Sequence, residues 1–123
     1  MYLNRILIAG NAAADPEVRD LNGRKGASFR VGITEKYKDN NDQWQEKTEW
    51  VNVVAWGKTA EVAERYIKKG SSVLVEGKIQ TREWKDRDGN KRFTTEVLAS
   101  NIQVDRSRSS RASSMQDSDN YDF

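Results

Sequence analysis

Six aromatic side chains stand among the bases of this chain. Tyr37, Trp44, Trp50, Trp56, Trp84 and Phe93 lie among Arg5, Arg30, Lys36, Lys58, Lys69, Lys78, Arg82, Lys91 and Arg92. A single-strand nucleic-acid site needs this mixture. Every base offers a π-face to stack on an aromatic ring, and Lys and Arg follow the phosphates. Competing chemistries find less support. With no His and no Cys there is no imidazole base and no thiolate, and a serine has no partner of either kind. Gly-rich phosphate loops are absent as well. Composition leaves open a carboxylate-only metal site or a two-carboxylate hydrolase, but each Asp and Glu has a role available in a turn or on a solvated face. A binding protein without cofactor, and not an enzyme, is expected.

The aromatics need strands to hold them. Thr48 to Gly57 alternates, with Val51, Val53 and Ala55 on one face and Trp50, Asn52, Val54 and Trp56 on the other. The aliphatic face is the natural core, so either both faces are buried or the two indoles form a surface for a flat ligand. Ser72 to Trp84 divides the same way. Val73, Val75, Gly77 and Ile79 form the inward face, opposite Glu76, Lys78, Gln80, Arg82 and Trp84. Trp84 therefore sits with Lys78 and Arg82 on a polar face. Tyr37 shares parity with Phe29 and Ile33, which by pattern favours burial. Trp44 lies in a polar loop, Lys38 to Glu46, where it could stack on a base, contact a neighbouring subunit, or do neither.

The remaining elements complete a small β domain. Asn4 to Gly10 reads as a first strand, Asp15-Pro16-Glu17 as a turn, and Leu21 to Gly26 as a hairpin loop centred on Asn22-Gly23. Ser28 to Tyr37 is the second strand. Lys58 to Lys69 carries Val62, Ala63, Tyr66 and Ile67 at helical spacing, and Gly70 ends it. Asp86 to Asn90 is a hairpin tip, Lys91 to Ala99 pairs back, and Ile102 and Val104 close the domain. The order strand, strand, strand, helix, strand, strand is that of a five-stranded Greek-key barrel, although a small α+β sheet shares it.

The formal net charge of +2 hides an asymmetry. The last seven residues hold three Asp and no base, leaving a basic body that suits a polyanion. No apolar run approaches a membrane span and no signal-peptide pattern opens the chain, so a soluble, cytoplasmic protein is expected. From Asp105 the composition turns to Ser and Arg without periodicity and reads as a disordered tail, residues 105–123, following a domain of residues 1–104. Its acidic end, with Asp117, Asp119, Asp122 and a terminal Phe123, could be a peptide ligand or a solubilising end.

Taken together, Asn4 to Asn11, Asp15 to Arg19, Thr48-Glu49-Trp50, Trp56-Gly57-Lys58, Ala60 to Ala63, Lys69-Gly70-Ser71, Val75-Glu76-Gly77, Thr81 to Trp84 and Thr94 to Val97 resemble the bacterial-type single-stranded DNA-binding protein family. The resemblance spans about residues 2–104. It implies an all-β OB-fold barrel with one short helix between strands 3 and 4, assembled as a homotetramer with DNA wrapped around it. It implies stacking on Tyr37, Trp50, Trp56 and Trp84, and backbone contacts from Arg5, Lys58, Lys69 and Arg82, with Arg19 a further candidate. Lys78 joins them on pattern alone. The implied role is sequence-tolerant protection of single-stranded DNA in replication, recombination and repair. The tail would recruit replication and repair proteins, although here it is short, lacks the family's usual Gly/Gln/Pro-rich linker and ends Tyr-Asp-Phe.

Overall fold

The computed structural model describes residues 1–105. Its elements are β1 (Ile6–Ala12), β2 (Glu17–Leu21), β3 (Arg24–Lys38), β4 (Trp44–Trp56), α1 (Lys58–Tyr66), β5 (Ser72–Lys85) and β6 (Lys91–Val104). The sheet runs β1-β5-β6-β4-β3-β2, and an added β1–β3 pairing closes five strands into a ring. All pairings are antiparallel except β4 with β6, which meet in parallel at Val53↔Val97 and Val54↔Leu98. Closure at Asn11↔Gly32 brings two backbones unusually close. A Cβ on Gly10 would fall 2.3 Å from the Gly32 carbonyl oxygen, so that position takes no larger residue without shifting backbone. This closed ring with one short helix is the expected OB-fold barrel.

Alternation along the strands fills the barrel. Val31, Val53, Ala55 and Val75 are fully buried, with Phe29, Val73, Val97 and Ile102 beside them. The helix lies at one end and contributes Ala60 and Ala63, followed by Ile67. Burying such aliphatics contributes about 1.5–3 kcal/mol for each larger side chain. The helix is shorter than its periodicity suggests. It stops at Tyr66 because Ile67 turns extended, with ψ 128°, to place its side chain in the core. Val62 and Tyr66 are only half-buried.

Local pattern missed other features. Glu17–Leu21, expected to be turn and connection, is a strand with every residue exposed, so it carries no buried alternation to detect. It forms because Asn22 and Gly23, with φ of 55° and 82°, make a two-residue turn that folds it onto β3. The expected loop of Lys38 to Glu46 contracts to residues 39–43, and Trp44 opens β4 opposite Lys38. Ile79 and Tyr37 have core parity, yet are 46% and 48% exposed. Both lie where a long hairpin leaves the barrel, so parity no longer specifies burial.

Candidate nucleic-acid interface

Two hairpin arms, β3–β4 and β5–β6, carry the aromatics. On the first arm Trp50 pairs across the strands with Gly32, and Trp56 with Gly26. The glycines are required by close approach. A Cβ at either would lie 2.7 Å from the facing indole, so each ring rests directly on backbone. A guanidinium completes each unit: Arg30 stands 5.0 Å from the Trp50 ring centroid and Arg24 4.8 Å from that of Trp56. Such cation–π contacts contribute about 0.5–1 kcal/mol when exposed. More to the point, they hold positive charge beside a π-surface, and Trp50 keeps 52% of its surface exposed.

The second arm faces this one across a groove of about 520 Å³, whose lining includes Arg30, Asn52, Val54, Arg82, Thr94 and Glu96. Trp84 projects beyond it, 43% exposed, and its indole N–H donates to Thr94 Oγ1 at 2.9 Å. Glu96 is the one buried charged side chain among the described residues. It accepts from Arg82 Nε at 3.1 Å and from Gln80 Nε2 at 2.8 Å. A buried carboxylate needs such partners. Arg82 therefore faces the groove with part of its charge already compensated.

The other expected bases are distributed around the barrel. Arg5 is ion-paired to Glu76. Lys78 shares with Arg5 a second hollow, lined also by Leu3, Leu98 and Ser100, and not the Arg82 groove. The polar face expected of Lys78 to Trp84 is thus divided between two hollows. Lys58 opens α1 two residues after Trp56. Lys69 is exposed, and its backbone N–H donates to Asp15 Oδ1 at 2.8 Å. Neither the Lys58 nor the Lys69 side chain has an ion-pair partner among the described residues. Arg19, on β2, reaches Glu17 at 3.7 Å. Tyr37 lies opposite Gln45 and is on the other face of the ribbon from Trp50. Asp117, Asp119, Asp122 and Phe123 lie outside the described residues.

Arg24 joins the site without having been among the expected residues, and Arg30 gains a specific place within it. Their signal was present in the sequence as Arg24-Lys25-Gly26 and Arg30-Val31-Gly32, two Arg-x-Gly units six residues apart, matching the interval from Trp50 to Trp56. Recognising it needed the strand register.

Both arm tips are fastened by an aspartate. Asp39 Oδ1 accepts from the backbone N–H groups of Asn41 and Gln43, and Asp86 Oδ1 from those of Asp88 and Asn90. These donors, Gln43 foremost for Asp39 and Asn90 for Asp86, hold both carboxyls below the usual aspartate value. Among the described residues no cluster of three or more acidic side chains could hold a metal ion, and no helix is long and apolar enough to cross a membrane.

Comparison with known proteins agrees with this geometry. The chain is 38% identical over 104 residues to single-stranded DNA-binding protein 1 of Chlorobaculum tepidum, covering 83% of this chain and 64% of that relative's length. The fold matches a Plasmodium falciparum SSB solved in complex with single-stranded DNA, with a TM-score of 0.77 and 27% identity, covering 85% of this chain and 96% of that one. The family model for single-strand binding proteins matches residues 3–105. With a match across nearly all the described residues, the chain belongs to the single-strand binding protein family.

Proposed function

We propose that this protein binds single-stranded DNA without sequence preference and acts as a binding protein, not an enzyme. The observation that carries this reading is the pair of indoles on β4, each seated on a cross-strand glycine with an arginine over the ring. Such units offer stacking surface to any base and positive charge to its phosphate, and they have no feature that reads a base edge. Trp50, Trp56 and Trp84, with Tyr37 at the arm, are the stacking residues. Arg5, Lys58, Lys69, Lys78 and Arg82 contact phosphates, joined by Arg24 and Arg30. The DNA partner of the Plasmodium falciparum neighbour supports the same ligand.

The domain of residues 1–104 carries this binding, and the protein works in replication, recombination and repair in the cytoplasm. It assembles as a homotetramer. Support for self-assembly comes from β1, where Leu7 near the start of the strand is 64% exposed, and Tyr2 and Leu3 in the segment before it are exposed as well. Beyond its Asn11 and Ala12 pairing to β3, that edge of β1 has no strand partner among the described residues. The tail of residues 105–123 recruits partner proteins through Asp117, Asp119, Asp122 and Phe123. Sequence character alone supports this role.

Titration with oligo-dT tests the DNA reading. Tryptophan fluorescence is expected to be quenched at low salt and to recover as salt is added, since phosphate contacts release counterions. Absence of quenching at low salt would overturn it.

A further inference from the structure

The β3–β4 arm repeats beyond the two units described. Along β4, Trp44, Trp50 and Trp56 stand six residues apart, and along β3, Arg24, Arg30 and Lys36 keep the same interval. The register sets a neighbouring β3 series, two residues further on, opposite the rings: Gly26↔Trp56, Gly32↔Trp50 and Lys38↔Trp44, while Lys36 pairs with Glu46. All three tryptophans therefore occupy the same face of the ribbon, whereas Tyr37 occupies the other. At the outermost position the glycine is replaced by Lys38, whose ammonium stands 5.4 Å from the Trp44 ring centroid. The ring–cation pairing survives where the barrel has ended, with the same ammonium 3.8 Å from Asp42 Oδ1.

We propose that Trp44 with Lys38 is a third base-stacking station on β4, beyond Trp56 and Trp50, carrying the single-strand path off the barrel and along the β3–β4 arm. This rests on the single-stranded DNA reading above. Trp44 is 67% exposed, more than Trp50 at 52%, so the ring is open to a ligand and makes little contribution to the core. It is also held in place. Asp39 accepts from the backbone of Asn41 and Gln43 and, at 3.1 Å, from Gln45 Nε2, which fastens the turn immediately before it. A ring on a braced tip loses little freedom when a base lands on it. Each step between stations is about 20 Å along the strand, and strand twist turns each station relative to the last. A bound strand meets the rings in succession while coiling around the ribbon, and a short oligomer does not reach them all.

The test is a series of oligo-dT lengths titrated against the wild type, Trp44→Ala, Trp44→Phe and Trp50→Ala, with assembly mass measured for each. Trp44→Ala is expected to bind the shortest oligomers as the wild type does and the longest about five- to hundredfold more weakly. Trp44→Phe restores most of the loss, and mass is unchanged. In a variant with Trp50, Trp56 and Trp84 replaced by Phe, the remaining Trp44 fluorescence is quenched by long oligo-dT. Wild-type affinity of Trp44→Ala at every length would overturn the station, as would a loss accompanied by a fall in mass, which would make Trp44 a contact between copies. Failure of the wild type and Trp50→Ala alike to bind any oligomer would instead overturn the DNA reading itself.

Discussion

The β3–β4 and β5–β6 arms are built on one plan and charged differently. Each turns through five residues, with Asp39 or Asp86 donating its N–H to the carbonyl four residues on and accepting two backbone N–H groups on its carboxylate. Each has its fourth turn residue in the left-handed region, Asp42 at φ 64° and Gly89 at φ 82°. The side chains then diverge. On β3–β4, Arg24, Arg30 and Lys38 stand over indoles. On β5–β6, Arg82, Lys91 and Arg92 pair with Glu96, Glu83 and Asp86. The β3–β4 arm presents rings with accompanying guanidinium charge at Arg24 and Arg30, while Lys38 also lies 3.8 Å from Asp42. The other presents Trp84 and Phe93 with Arg82, Lys91 and Arg92 paired to carboxylates. A base near an aromatic thus differs from its neighbours in how far a carboxylate already compensates its charge.

Removing the bases separates the arms most strongly. Arg82→Ala strips the buried Glu96 of its ion partner and is expected to cost about 1–3 kcal/mol of stability, below the full buried-pair figure because Arg82 is half exposed. Arg30→Ala leaves only an exposed ring uncovered and is expected to cost less than about 1 kcal/mol. Urea denaturation of both variants decides this, and equal losses would erase the distinction. Binding should show the reverse order. Arg30→Ala is expected to reduce the slope of log affinity against log salt by about 0.7, the effect of one lost single-strand phosphate contact. Arg82→Gln should change it by less. A larger change for Arg82 would mean that Glu96 releases it when DNA arrives.

The smallest contrast is at the tips and depends on pH. Both carboxyls titrate below their ordinary value in the folded protein, so they add stability above the unfolded aspartate value, about pH 4, and lose it as pH falls through the folded value. Amide exchange at Asn41, Gln43, Asp88 and Asn90 should accelerate over that acid range. Asp86→Asn should loosen its tip more than Asp39→Asn, because Asp86 also holds the charged Arg92 at 2.9 Å while Asp39 holds the neutral Gln45. Equal loosening would show that the backbone donors alone fasten the turns.

Much of this was legible in the sequence where alternation met a buried face. Val51, Val53 and Ala55 against Trp50 and Trp56 gave the correct sides of β4, and Asn22-Gly23 gave a turn. Legibility fell where burial stops. Beyond the barrel both ribbon faces are wet, so Tyr37 and Ile79 carry core parity without a core, and Trp44 looks like loop because its strand is polar. The Arg24 and Arg30 units were hidden differently: they join residues distant in sequence, and only pairing of β3 with β4 brings ring, glycine and guanidinium together. Glu96 was masked because alternation cannot reveal that a lone carboxylate is buried under an arginine.

The central claim, that the β4 indoles are a binding surface and not misplaced core, is tested most directly by Trp50→Ala. The affinity for oligo-dT, measured with the melting temperature of the same sample, should fall by about 1–3 kcal/mol while the melting temperature stays within a few degrees of wild type. Unchanged affinity, or a large drop in melting temperature, would contradict the account and return Trp50 to a structural role.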